Sequence, residues 1–285
     1  MSKISVRLMA LMLFVSFAVQ AEVSVPSIFG SRMVLQRGQA NPVWGWAAPG
    51  EKISVTFAGQ KHTATAGKDG AWRVKLQPLK ANAKGQTLTI QGSNKLELTD
   101  VLVGEVWVCS GQSNMAWSVD RSYDPDLESL TAKFPNIRLI SVPPVGTQEP
   151  QKDFNGEWVA ASPESVMSFS AVGFFFGRTL HQAIDVPVGL IDNAWGGSAA
   201  EAWVRRDLLN KLPAAAPYMA TWKQTEANYD HEKTMATYEA RLKKWQTAAA
   251  AARKAGKPVP QRPRNPRNPL TGQHRPANLY NGVLK

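Results

Sequence analysis

From Val23 to about Thr99, apolar and polar residues alternate in short runs, as in Ile53-Ser54-Val55-Thr56-Phe57, Trp72-Arg73-Val74-Lys75-Leu76 and Thr87-Leu88-Thr89-Ile90. Alternation sends one set of side chains to a core and the other to water, so each run predicts a half-buried strand. Pro49-Gly50, Ala58-Gly59 and Lys68-Asp69-Gly70 punctuate the runs with turn-forming residues. Residues 22–100 are therefore predicted to form a small antiparallel β-sandwich. From Leu102 the period changes. Val106 to Cys109, Ile137 to Val142 and Val186 to Ile191 are near-continuous apolar runs that predict strands buried on both faces. Between them, Val172, Phe175, Phe176, Leu180 and Ile184 recur at helical spacing and predict a helix over Ala171 to Ile184; Ala199 to Leu209 predicts another. Strand and helix in alternation predict a parallel α/β layer for residues 101–285.

Two segments interrupt that layer. Residues 218–255 have high helix propensity and no proline, and predict one or two long surface helices inserted into the domain. Residues 256–278 are rich in proline and arginine, and apolar character resumes at Leu279-Tyr280-Asn281-Gly282-Val283-Leu284. At about 150 residues per domain, the length of 285 residues agrees with two units. A hydrophobic content of 44% excludes disorder throughout, and the single cysteine, Cys109, excludes an internal disulfide or a multi-cysteine metal cluster.

The net charge of +11 raises the question of a nucleic-acid partner. Seven basic and no acidic residues lie between Arg253 and Arg275, interleaved with Pro258, Pro260, Pro263, Pro266 and Pro269 and without an aromatic residue on which a base could stack. The segment reads as a solvated, extended linker, with a phosphate-contacting arm as the alternative, and no nucleic-acid partner is expected. Residues 1–21 read as a secretory signal: Lys3 and Arg7 lead, Leu8 to Val19 is apolar, and Val19-Gln20-Ala21 is a cleavage site. The mature chain is expected to begin near Glu22 in the periplasm or the medium. A dozen apolar residues fall short of the roughly 20 that cross a bilayer, and no later segment is long enough, so no membrane span is expected.

Two stretches carry candidate chemistry. Val106-Trp107-Val108-Cys109-Ser110-Gly111-Gln112-Ser113-Asn114-Met115 is an apolar strand running into small and polar residues. A serine at a strand-to-helix turn presents its hydroxyl at the carboxyl edge of the sheet, and free N–H groups of the following helix can hold a developing oxyanion. The bland alternative is that Ser113 or Asn114 caps a helix. The stretch is not the Gly-x-Ser-x-Gly elbow of the α/β-hydrolases, because Met115 stands in place of the second glycine. In the second stretch, Val188 to Trp203, Trp195-Gly196-Gly197 follows a buried strand, where glycines permit either a close backbone approach to a ligand or simply a tight turn.

Taken together, Gly104 to Met115 and Val186 to Trp203 strongly resemble the signature blocks of sialate O-acetylesterases, bacterial carbohydrate esterases of the SGNH hydrolase superfamily, and Leu279-Tyr280-Asn281-Gly282 resembles a third block. The resemblance spans nearly all of the mature chain. It implies an SGNH-type parallel α/β domain preceded by a small β-domain, and removal of acetyl esters from sialic acid or other acetylated sugars with no metal or cofactor. It implies Ser113 as the nucleophile, an oxyanion hole formed by the N–H of Ser113 with that of Gly196 or Gly197, and substrate contacts from Gln112, Asn114, Trp195 and Asn281. Family members continue into a Gln-Gly-Glu block and an Asp-x-x-His block, and neither occurs in this sequence, which stops at Lys285.

A serine nucleophile needs a base within hydrogen-bond reach. None of His62, His181, His231 and His274 has an aspartate three residues before it, so no base is assigned from this chain. The expectation is an incomplete amino-terminal portion of an esterase, with little activity until a carboxyl-terminal segment completes it. The alternative is a non-catalytic carbohydrate-binding protein in which Trp117, Trp195 and Trp203 stack on sugar faces; Trp44, Trp46 and Trp72 offer a second such platform or, more simply, core packing.

Overall fold

The computed structural model describes residues 22–283; the expected secretory segment lies outside them. The amino-terminal strands are β1 (Val34–Gln36), β2 (Asn41–Trp46), β3 (Lys52–Phe57), β4 (Gln60–Thr65), β5 (Ala71–Leu76) and β6 (Asn82–Gln91), followed by the long β7 (Lys95–Gly111). After these come α1 (Pro125–Thr131), β8 (Phe134–Ser141), β9 (Val159–Ala161), α2 (Ala171–Ile184) and β10 (Val188–Ala194). The chain ends in α3 (Arg206–Leu209), α4 (Ala216–Asn228), α5 (His231–Lys254) and α6 (Asn278–Val283).

The architecture is mixed α/β around one continuous sheet in the order β4-β3-β6-β7-β10-β8-β9, with β1 also on β7, while β2 and β5 pair separately. The first half of β7 pairs antiparallel with β6, and its second half pairs parallel with β10, which pairs parallel with β8. The expected division after residue 100 thus falls inside one strand. Side-chain alternation sorts the core into two clusters. Ile137 and Leu139 of β8 and Val188 and Leu190 of β10 pack with Phe174 of α2. Ile140 faces the other way and joins the amino-terminal strands, with Val43, Val74, Ile53, Ile90 and Trp158. Buried Arg138 of β8 crosses between the two regions, donating from Nη1 to Asp100 Oδ2 at 2.7 Å.

Several expectations are corrected. Val106 to Cys109 is not buried on both faces: Trp107 and Val108 are 45% and 57% exposed. Beyond Gly104, β7 has β10 on one side and no strand on the other among the described residues, so its outer flank faces solvent. Ala199 to Leu209 is not one helix but a 3-10 turn, Ala200–Trp203, followed by the short α3. The Glu201 carbonyl accepts the N–H of Ala277, so a tertiary bond takes the place of helix continuation. The expected helix over Ala171 to Ile184 is α2, its first turn capped by Ser170 Oγ, which accepts from Gly173 N at 3.0 Å, and the expected long helices over residues 218–255 are α4 and α5. No helix among the described residues is long and apolar enough to cross a membrane.

Candidate active site

The parallel pairing of β7 with β10 builds the site. Their register sets Ala194 beside Gly111, so both strands end together at the same edge. The residues that follow, Gln112 to Met115 from one strand and Trp195 to Ser198 from the other, therefore emerge side by side. This is where open parallel sheets expose ligand-binding loops. Gly111 has φ +138° and Gly197 φ +73°, conformations that side-chain-bearing residues resist, which is what lets each loop turn sharply over the strand end.

The expected helix after Ser113 is a single turn: Ala116 N donates to the Gln112 carbonyl at 3.0 Å, and the chain then leaves to bridge Ser118 with Ser170. Free N–H groups at a helix N-terminus are thus not the local source of donors. The donor comes from the other loop. Ser113 is exposed, its Oγ accepts from Gly197 N at 3.3 Å, and Gly196 lies alongside, where an added Cβ would make ordinary contact at 3.8 Å with Ser113 Cα. Of the two glycines left open by the sequence, Gly197 aims its N–H at the hydroxyl. Gln112 Oε1 accepts from both Ser113 Oγ at 2.6 Å and Ser113 N at 2.8 Å, so the neighbouring amide occupies the serine's donors in this state.

The remaining candidates divide. Trp195 N donates to the Gly111 carbonyl at 3.0 Å, stitching the two loops together, and with Gly196 it lines a cavity of about 630 Å³. Asn114 is exposed in the Ser113 turn, where its carbonyl accepts from Trp117 N. Asn281 is placed elsewhere: its Nδ2 donates to the Gln148 carbonyl at 3.0 Å, and it lines a separate cleft with Arg205, Arg206 and Asp207. Trp203 donates from Nε1 to Ser198 Oγ, Trp117 to the Arg121 carbonyl, and Trp72 is buried, while Trp44 packs edge-on against Phe29 and stays 37% exposed.

Sequence reasoning missed the contribution of the proline-rich segment. Residues 257–268 form neither helix nor strand and are mostly exposed, as a linker would be, but the end of the segment is docked: Ala199 N donates to the Gln273 carbonyl, and His274 Nε2 lies 2.6 Å from the Gly197 carbonyl. Tyr218 Oη donates to the His274 carbonyl at 2.6 Å, fixing that residue from behind. His274 is thus brought to the glycine loop, but no imidazole nitrogen is a hydrogen-bond partner of Ser113 Oγ among the described residues. His62 pairs with Gln60, His181 with the Val186 carbonyl and His231 with the Tyr229 hydroxyl. No local motif in the sequence points to the docking of this segment, because the contacts run mostly through backbone carbonyls.

Under the loops lie two titratable groups, Cys109 buried and Asp192 half-buried. Asp192, near the end of β10, has its carboxyl pushed up to about 6 by burial, with backbone N–H groups of Ala194 and Ser170 pulling the other way, and its Oδ1 has no hydrogen-bond partner. Burial, assisted by the Asp192 carboxylate, pushes the Cys109 thiol up to about 11. Cys109 is consequently a poorly reactive thiol packed against Gly173 of α2.

Comparison with known proteins finds relatives of one kind. The family model described as carbohydrate esterase, sialic acid-specific acetylesterase, matches residues 103–256, which contain both loops. Human sialate O-acetylesterase is 34% identical over 197 residues, covering 62% of this chain and 38% of that protein. The Rattus norvegicus sialate O-acetylesterase is 32% identical over 203 residues, covering 64% of this chain and 38% of its own length. The crystal structure of a carbohydrate acetylesterase from Xanthomonas citri superposes with a TM-score of 0.64 at 37% identity, covering 66% of this chain and 44% of that one. The matched part thus spans well under half the length of these relatives. Two strand-end loops that bring a serine hydroxyl to a glycine N–H lie inside a family match covering more than half of the residues, and the chain belongs to the carbohydrate esterase family of sialic acid-specific acetylesterases.

Proposed function

We propose that the protein is an exported carbohydrate O-acetylesterase of SGNH type in which Ser113 attacks the acetyl carbonyl of an acetylated sugar, sialic acid among them. In this reading the amino-terminal strands act as a small sandwich that buttresses the esterase layer. The observation that carries it is the Gly197 N–H pointing at Ser113 Oγ across 3.3 Å. As Oγ bonds to the carbonyl carbon, the carbonyl oxygen takes up negative charge. The N–H groups of Gly197 and Ser113 are the donors that receive it, once Gln112 swings its amide oxygen off the serine. Collapse of the tetrahedral adduct expels the sugar alkoxide, which takes a proton, and water then releases acetate from Ser113.

The proton acceptor for Ser113 is supplied, in this reading, by a segment outside residues 22–283, because no imidazole among the described residues hydrogen-bonds the hydroxyl. A positioned base is worth about 10² to 10⁴ in rate. The 285-residue chain alone is therefore expected to release acetate from O-acetylated sialic acid slowly, with Ser113→Ala removing what activity there is. Brisk release abolished by Ser113→Ala would instead assign the base within this chain, with His274 the first residue to substitute. Release unaffected by Ser113→Ala would sink the nucleophile. The same lack of an imidazole favours the second reading, sugar binding without chemistry, which predicts saturable binding of acetylated sugar and no acetate at any enzyme concentration.

A further inference from the structure

Two cavities that share Pro266 form a trough between the Trp195-Gly196 loop, which packs beside Ser113, and the helical arm of α4 and α5. Its first part is the cavity of about 630 Å³, lined by Trp195, Asn265, Arg267, Asn268 and Gln273, in which Arg267 is the sole charged residue. Its second part, of about 440 Å³, is lined by Tyr229, Lys233, Tyr238, Arg241 and Arg264, and Pro266 belongs to both. The proline-rich strand that forms one wall is held against α5: Trp245 Nε1 donates to the Pro260 carbonyl at 2.7 Å, and the Arg262 guanidinium lies 5.7 Å from the Trp245 ring centre.

The charges along this trough are positive but for one carboxylate. Between Asp230 and Asn268 the sequence carries ten basic side chains against three acidic ones. Helical periodicity puts Lys233, Thr237 and Arg241 on the face of α5 that lines the trough, whereas Glu232 and Glu239, seven residues apart, share the opposite face. Asp230 is the one carboxylate at the trough, and its Oδ1 accepts from Lys233 N as the cap of α5. Lys233, Arg241, Arg264 and Arg267 make no ion pair among the described residues and are exposed. Unpaired cations spaced along a groove recognise repeated anions, and tyrosine rings with amide side chains are the groups that hold sugar rings and hydroxyls.

We propose that this trough binds an oligomeric acidic saccharide, with its acetylated unit at Ser113 and the anionic units beyond it running over Arg267, Arg264 and Arg241. The proposal rests on the esterase reading for the first unit and makes a polymer, rather than a free sugar, the preferred substrate. The experiment is equilibrium binding of the full 285-residue chain to linear sialic-acid oligomers, to sialic-acid monomer, to neutral acetylated xylan oligomers and to duplex DNA, at low and moderate salt. The expected result is oligomer binding about tenfold or more tighter than monomer, the size that loss of two or three exposed charge contacts commands. That margin should shrink with salt, collapse in R241Q/R264Q and return in R241K/R264K. Equal affinity for acidic and neutral oligomers, no effect of R241Q/R264Q, or tighter binding to DNA than to the oligomer would overturn the proposal while monomer binding upholds the esterase reading. Failure of monomer and oligomer alike would remove both.

Discussion

At the scale of single residues, the site depends on one hydroxyl and on the backbone that faces it. Ser113 is exposed and among the described residues its side chain hydrogen-bonds only Gln112 and Gly197, so Ser113→Ala should change stability by no more than about 0.5 kcal/mol, measured by denaturant melting, while removing acetyl release if the proposed nucleophile is the right one. Gly197 has φ +73°, and Gly197→Ala strains that turn and displaces the N–H; loss of such a donor costs about 10² in kcat in comparable sites, with KM little changed. Asp192 gives the fold a pH signature. Its carboxyl titrates near 6 when folded against an ordinary value of 3.8, so the folded state holds the proton more tightly than the unfolded chain. The neutral carboxyl is therefore tolerated below about pH 4, and stability falls as pH rises from there through about 6. Asp192→Asn should flatten that fall and raise stability at pH 7.5 by about 2 kcal/mol, read from urea midpoints across the range. An unchanged pH profile in the variant would show that the carboxylate is better solvated than its burial implies. Serine and glycine were readable from sequence because their blocks are contiguous. Asp192 was not, because nothing local tells how deeply a strand end is buried.

At the scale of elements, β7 joins the two halves of the molecule, and its middle tolerates no side chain at residue 104. A Cβ on Gly104 would lie 1.9 Å from the Pro187 carbonyl oxygen, so Gly104→Ala forces β7 and the start of β10 apart. The expected cost is about 3 kcal/mol, with secondary structure retained in circular dichroism but the thermal transition lowered. Element type was legible where period was strong. The apolar spacing of Val172, Phe175 and Leu180 located α2, and the alternation at Ile53 to Phe57 located β3. It failed where a neighbour decides: Val106 to Val108 reads as an interior strand, yet the flank beyond it carries no strand among the described residues, and the expected helix at Ala199 is interrupted by a bond from Ala277.

At the scale of the whole molecule, Glu226 of α4 holds Arg206, the first residue of α3, and Arg275, near the end of the proline-rich segment, through bonds of 2.7 and 2.8 Å. Burial raises its carboxyl, and the two guanidiniums more than offset this and hold it below the ordinary range. Glu226→Gln leaves two partly buried cations short of a counter-charge, and should loosen the segment across the site, seen as faster proteolysis between Gly256 and Asn268 before global unfolding. The alternation of the amino-terminal strands, the helices over residues 171–184 and 218–255, the excess of positive charge and the two glycine- and serine-bearing loops could be read along the chain, because periodicity, composition and contiguous motifs are local properties. It took the folded chain to show that Gly197 rather than Gly196 donates its N–H to the serine, that the proline-rich segment walls the cleft, and that β7 belongs to both halves. Each of these is settled by residues tens of positions apart meeting in hydrogen bonds with a backbone N–H or carbonyl on at least one side, and backbone groups are the same at every position of the chain.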